Sequence, residues 1–130
     1  MMKVRIRVRI KYIKAAIVSL IRPICKNTFF NRSSAVYPHI RLELKRLKTP
    51  PPCLQFILYI DYKAKLEKAD ELEELADKVQ ETFSGLMYKN DKIIMTAHPE
   101  QGEQSEVPDT AADLKRISAY IPLRVYFRKE

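Results

Sequence analysis

The sequence predicts one α+β domain of β-α-β-β-α-β order, with a single mixed sheet covered by two helices and a short C-terminal helix and edge strand. Three observations predict it. Residues 3–11 alternate basic and β-branched side chains with period two. Residues 54–60 form a dense apolar run of strand length. Leu72, Leu75, Ala76, Val79 and Phe83 recur at the spacing of one helix face. At 130 residues the chain has room for one modest core, so 1–130 reads as a single domain. Its 46% apolar and 31% charged residues fit a globular chain rather than a disordered one.

The elements follow in order. Val4, Ile6, Val8 and Ile10 fall on one side of the predicted first strand, and Lys3, Arg5, Arg7, Arg9 and Lys11 on the other. The period then changes: Ile13, Ala16, Ile17, Leu20 and Ile21 are spaced for a short helix that Pro23 ends. Residues 23–38, with two prolines, two asparagines and two serines, read as a loop. Ile40, Leu42 and Leu44 alternate with charged neighbours as a second strand, and Pro50, Pro51 and Pro52 interrupt the chain after it. Tyr62, Ala64 and Leu66 alternate with Lys63, Lys65 and Glu67, which either extends the strand of the Leu54–Ile60 run or folds it into a hairpin. The clearest helix spans about 71–84, with Asp70 as N-cap, Glu73 completing a capping box, and Gly85 as the stop. Residues 92–96 suit a short strand. Residues 97–113 are acidic and interrupted by Pro99, Gly102 and Pro108, which reads as a solvated loop, with a short capped helix starting near Asp109. Ile121, Leu123, Val125 and Phe127 alternate in a last strand, which Pro122 assigns to a sheet edge.

Charge is distributed unevenly. The chain has a net charge of +8, yet residues 1–42 hold ten basic side chains and no acid. The remainder carries fourteen basic residues against sixteen acids. Unscreened cations without internal counter-charges point to a polyanionic partner or to a targeting segment. Arginine fits phosphate because its forked donors match the phosphate oxygens. The candidate phosphate-contacting set is therefore Lys3, Arg5, Arg7, Arg9, Lys11 and Lys14, with Arg22, Lys26 and Arg32 from the following loop. The blander alternatives are a solvated edge strand, where positive charge blocks aggregation, and a presequence.

Other clusters weigh less. Asp70, Glu71, Glu73, Glu74, Asp77 and Glu81 crowd one helix, where acids near the N-terminus complement its dipole and face water. His39 and His98 have no ligand partner at metal spacing, so no metal site and no cofactor are expected. No nucleophile triad, phosphate-binding loop or dinucleotide fingerprint is legible, and no small-molecule substrate is implied. The seven tyrosines are scattered and suit sheet faces better than base stacking. Two cysteines make no disulfide framework, which favours a reducing compartment. Ala15–Ile21, the longest apolar-leaning stretch near the start, is too short for a membrane span or a secretory signal.

Two partial resemblances rest on these residues. The basic start, short helix, proline-broken strands and amphipathic helix over 3–96 resemble small mitochondrial ribosomal proteins. The likeness is to the thioredoxin-like type of the large subunit and to the S-ten type. That resemblance implies a non-catalytic role against ribosomal RNA and neighbouring ribosomal proteins, and a mitochondrial location. Residues 54–94 are also similar to the RusA family of Holliday-junction resolvases, through Glu71-Leu-Glu-Glu-Leu75, Glu81 and Gly85-Leu-Met-Tyr-Lys-Asn-Asp91. Carried over, Glu71, Glu73 and Asp91 would hold Mg²⁺. The family's other positions are changed here to Glu74, Asp77 and Asn90. The leading expectation is thus a structural RNA-associated protein of the mitochondrial ribosome. The alternatives are a RusA-like endonuclease, active or spent, and an accessory subunit of another mitochondrial complex.

Overall fold

The computed structural model describes every residue except 1, 33, 35, 50–52, 110, 112 and 129–130, and the side chains of 2–9 also lie outside it. Helix α1 spans Met2–Ile21. Strand β1 is Thr28–Phe30, β2 is His39–Arg46 and β3 is Cys53–Lys65. A short 3₁₀ turn, Leu66–Lys68, leads into α2, Ala69–Phe83. Strands β4 (Met87–Lys89), β5 (Ile93–Ala97), β6 (Glu103–Val107) and β7 (Leu114–Phe127) complete the chain.

These strands form one mixed sheet of α+β type, ordered β1-β2-β3-β7-β5-β4, with β6 pairing the first half of β7. Only the β1–β2 pair is parallel. The two longest strands, β3 and β7, are antiparallel neighbours in continuous register from Cys53↔Tyr126 to Lys65↔Leu114. Strict alternation sorts each strand into two faces. Leu54, Phe56, Leu58, Ile60, Tyr62 and Ala64 of β3 are buried, as are Ile117, Ala119, Ile121, Leu123 and Val125 of β7. Both helices close over that one face. Ile13, Ala16, Ile17 and Ile21 of α1 and Leu72, Ala76, Val79 and Phe83 of α2 join the same buried cluster.

The structure corrects several expectations. Residues 3–11 belong to α1 and form no strand. Ile10, Ile13, Ile17 and Ile21 make one packed stripe, and a helix satisfies its backbone internally, whereas a strand here would need a free sheet edge to pair with. Asp70 is not the N-cap: α2 begins at Ala69 after Lys68, and no side chain caps its first N–H groups. The 3₁₀ turn before it supplies the lead-in. Gly85 does stop α2, at φ +65°, where a side chain would be strained.

Region 97–113 is no open loop. Pro99–Gln101 forms a 3₁₀ turn, and β6 adds to β7 through Glu103↔Tyr120 and Val107↔Arg116. Among the described residues no helix follows Asp109. Its Oδ1 accepts the Ala111 N–H at 2.9 Å, a local turn, and β7 begins at Leu114.

Pro122 lies in the sheet interior, not at an edge, because β7 changes partner there. β5 ends at Ala97 opposite Leu123, and β6 begins at Glu103 opposite Tyr120. The Pro122 carbonyl accepts the His98 N–H at 2.9 Å, from the segment crossing that gap. A missing donor is tolerated where no ladder continues.

Between the two partners, Gly102 passes so close to the Tyr120 carbonyl that any Cβ would collide with backbone. Gly102→Ala should therefore destabilise by about 1–3 kcal/mol, read as a lower urea midpoint. Phe83, fully buried under α2, should cost about 3–5 kcal/mol when cut to Ala in the same measurement.

Candidate nucleic-acid interface

The cations of the first third fall on a helix and on the turn after it. Positions two apart lie roughly 200° around a helix axis, so 3, 5, 7, 9 and 11 share no single side as they would on a strand. The side chains of Lys3, Arg5, Arg7 and Arg9 lie outside the described residues. Lys11 is exposed on α1, and Lys14 sits half-buried with Nζ 5.3 Å from the Phe30 ring centre. Arg22, just past the helix, donates to the Thr28 carbonyl at 3.4 Å. Lys26 is exposed, and the Arg32 guanidinium lies 4.2 Å over the Phe29 ring. Lys11, Lys14 and Arg22 line one shallow surface with Ala15, Val18 and Ser19. Two of these cations thus rest on aromatic rings of β1 while remaining reachable from solvent.

The carboxylates carried over by the RusA resemblance do not converge. Glu71 is exposed and pairs with Lys68 at 3.4 Å. Glu73 faces Lys115 at 3.5 Å, and Lys115 also holds Glu106 at 2.6 Å, tying α2 to β6 and β7. That short bond to Glu106 leads in raising the Lys115 pKa, with Glu73 adding to it. Asp91 sits in the β4–β5 turn, where Asn90 Oδ1 accepts the N–H groups of Lys92 and Ile93 at 2.8 and 2.9 Å. Asp70, Glu74, Asp77 and Glu81 are exposed along α2. Among the described residues no three His, Cys, Asp or Glu side chains are placed to hold a metal ion.

A second charged surface is the sheet face opposite the helices. Cross-strand register arranges it in rows. Arg41, Asp61 and Ser118 form one, Glu43, Tyr59 and Tyr120 the next, then Lys45, Ile57 and Pro122. Gln55, Arg124 and Thr96 follow, then Cys53, Tyr126 and Ile94. Tyr59 and Tyr126 are 39% and 40% exposed, large for aromatic rings on a central ladder. The Tyr59 and Tyr120 rings lie 6.3 Å apart and tilted, so neither caps the other's face.

The acids on this face are engaged. Arg116 Nε donates to Asp61 Oδ1 at 2.8 Å, and Arg41 pairs with Glu43 at 2.8 Å. These four residues, Tyr59 and Ser118 line a cleft of about 140 Å³. Lys63 is drawn toward Asp109 at 3.4 Å. Asp109 Oδ2 is closed off from water without an aligned hydrogen bond, so the Lys63 ammonium is its compensation. The Ala111 N–H, then Lys63 and Arg116, hold the Asp109 carboxyl below its usual range against some desolvation. Asp109 therefore anchors its end of the segment to the sheet, while Glu103–Glu106 remain exposed to solvent as expected for this acidic stretch.

Sequence reasoning missed this surface. Period-two alternation was legible in β3 and β7, but which parity the helices would cover was not. The signal that bears on it is the mixture of Arg, Lys and Tyr on the polar parity of both strands, against purely apolar residues on the other.

No family model matches the chain, and no curated protein does. Solved structures share its fold, two of them as follows. One, which carries no functional name, superposes with a TM-score of 0.69 at 11% identity, covering 91% of this chain and 96% of its own. The other is a chain from the virion of a native gene transfer agent (GTA) particle, with a TM-score of 0.51 at 12% identity, covering 86% and 85%. Among the described residues no helix is long and apolar enough to cross a membrane.

His39, on β2 beside Lys63, is 2% exposed, with Nδ1 3.2 Å from the Val36 carbonyl. Burial, chiefly, pushes its pKa below the ordinary 6.5, and Lys63 adds to this. A depressed folded-state pKa means that protonation favours unfolding. Stability should hold above pH 6.5 and fall as pH drops through that value toward the folded-state one. Thermal melts between pH 7.5 and 5 should show this loss, and His39→Gln should flatten it.

Proposed function

We propose that this chain is a non-catalytic structural subunit of a virion-like particle. One observation carries the reading: a chain of a gene transfer agent virion shares this fold over 86% of the present sequence and 85% of its own. The physical design supports it. A sheet whose two longest strands are locked centrally, with a broad face uncovered by helices, offers rigid surface for neighbours. The carboxylates that a nuclease would need are spread over separate elements and engaged in ion pairs or solvent. Such a subunit sits in an assembly that handles nucleic acid, and the basic surface of α1 suits a polyanionic neighbour.

A second reading is the structural RNA-associated protein, with ribosomal RNA and ribosomal proteins as neighbours in a mitochondrial particle. The exposed cations Lys11, Arg22 and Lys26 favour it, since they lack acidic partners among the described residues.

Sedimentation separates the two. Tagged protein expressed in its own cells should travel with nuclease-resistant particles, and deleting its gene should abolish them. Migration with ribosomal subunits would establish the second reading, and protein remaining at the top of the gradient would sink both.

A further inference from the structure

We infer that the helix-free sheet face binds an extended single strand of nucleic acid, with Tyr59, Tyr120 and Tyr126 as its stacking surfaces. The argument starts from the parity of the strands. Everything apolar on the even positions of β3 and the odd positions of β7 goes to the core. The other face of β2, β3 and β7 carries Arg41, Lys45, Lys63, Lys65, Arg116 and Arg124 against Glu43 and Asp61; Lys63 and Lys65 pair with Asp109 and Asp113 at its rim, which leaves Lys45 and Arg124 without an acidic partner among the described residues. Unlike the α1 surface, this face mixes those cations with exposed aromatic rings. That combination matches single-stranded nucleic acid, whose backbone needs positive charge and whose unpaired bases need flat rings. A duplex keeps its bases stacked inside and offers nothing to the tyrosines.

The rings stand where a strand can use them. Tyr59 and Tyr120 are cross-strand neighbours, tilted 41° to one another, so each leaves a face open. Tyr126 lies six residues further along β7, roughly 20 Å at strand rise, which spans several nucleotides. Arg124 projects between them, and Lys45 lies one row beyond the Tyr59 pair. Neither has an acidic partner among the described residues. Arg41 and Arg116 line the cleft beside Tyr59, each giving one side of its fork to a carboxylate. A guanidinium has five N–H donors, so both keep others for a phosphate.

Glu103, exposed and opposite Tyr120 on β6, makes that margin unfavourable for phosphate and turns the path toward Arg124.

The inference does not rest on membership of a particle: binding is measured on the purified full chain, whereas sedimentation tests the particle. The probe is a fluorescein-labelled thymidine 20-mer, followed by anisotropy at low and physiological salt. Binding should be present and should weaken steeply with salt. The double variant Tyr59→Ala/Tyr120→Ala should lose at least tenfold in affinity. Tyr59→Phe/Tyr120→Phe, which keeps the rings, should stay within about threefold of the parent. Arg124→Glu should also lose at least tenfold, and circular dichroism should show each variant folded. The chain has no Trp, so quenching of tyrosine emission by the unlabelled strand gives a second readout. Three results would each overturn the inference: no binding; duplex DNA bound as tightly; or folded Ala variants that bind like the parent.

Discussion

The ladder between β3 and β7 is the constraint on which the rest of the structure depends. It runs unbroken from Cys53↔Tyr126 to Lys65↔Leu114, so every side chain on both strands has its face decided by one register. A one-residue slip would carry Phe56, Leu58, Ile121 and Leu123 into water and drive Arg116 and Arg124 into the core. Turn geometry does not hold this register, because α2 and three strands intervene between the two partners. The apolar parity of both strands holds it, with Tyr62 and Ile117 at one end and Leu54 and Val125 at the other.

Length gives β7 a second task. Its first half carries β6 and its second half β5, so one strand joins two short edges to the same core. The handover happens at Pro122, where a residue lacking an N–H costs nothing, and it needs Gly102 for the close crossing. A proline that would mark an edge by itself thus marks a change of neighbour inside the sheet. Lys115 secures the arrangement from the helix side by binding Glu73 of α2 and Glu106 of β6 together.

Both helices spend their apolar stripes on one face, and this shapes the functional surface. The uncovered face keeps polar and aromatic residues with rigid backbone beneath them, because its own ladder hydrogen bonds and the core behind it hold it flat. Burial leaves marks at its rim: desolvation, chiefly, lowers the His39 pKa beside Lys63, and Asp109 is drawn onto Lys63. Deeper in, burial, with Asp77 adding, pushes the Tyr62 phenol upward, consistent with a ring fully enclosed under α2.

The sequence by itself determined the elements whose pattern is complete within them. The stripe of α2, its stop at Gly85, the alternation of β2, β3 and β7, and the isoleucine stripe of α1 were all legible, and so was the α+β class. Residues 3–11 show the limit: alternation at period two describes a strand only if a partner edge exists, and here the helix begun at Ile10 and Ile13 continues through them. Strands β1, β4 and β6 are short and individually weak, and only pairing with β2, β5 and β7 makes them strands. The open sheet face was likewise out of reach: the polar parity of each strand was legible, but that both helices cover the same face, and that β2, β3 and β7 lie side by side, was not. Periodicity is a local property written in the chain, whereas pairing and coverage are relations between segments far apart, and only the folded structure decides those.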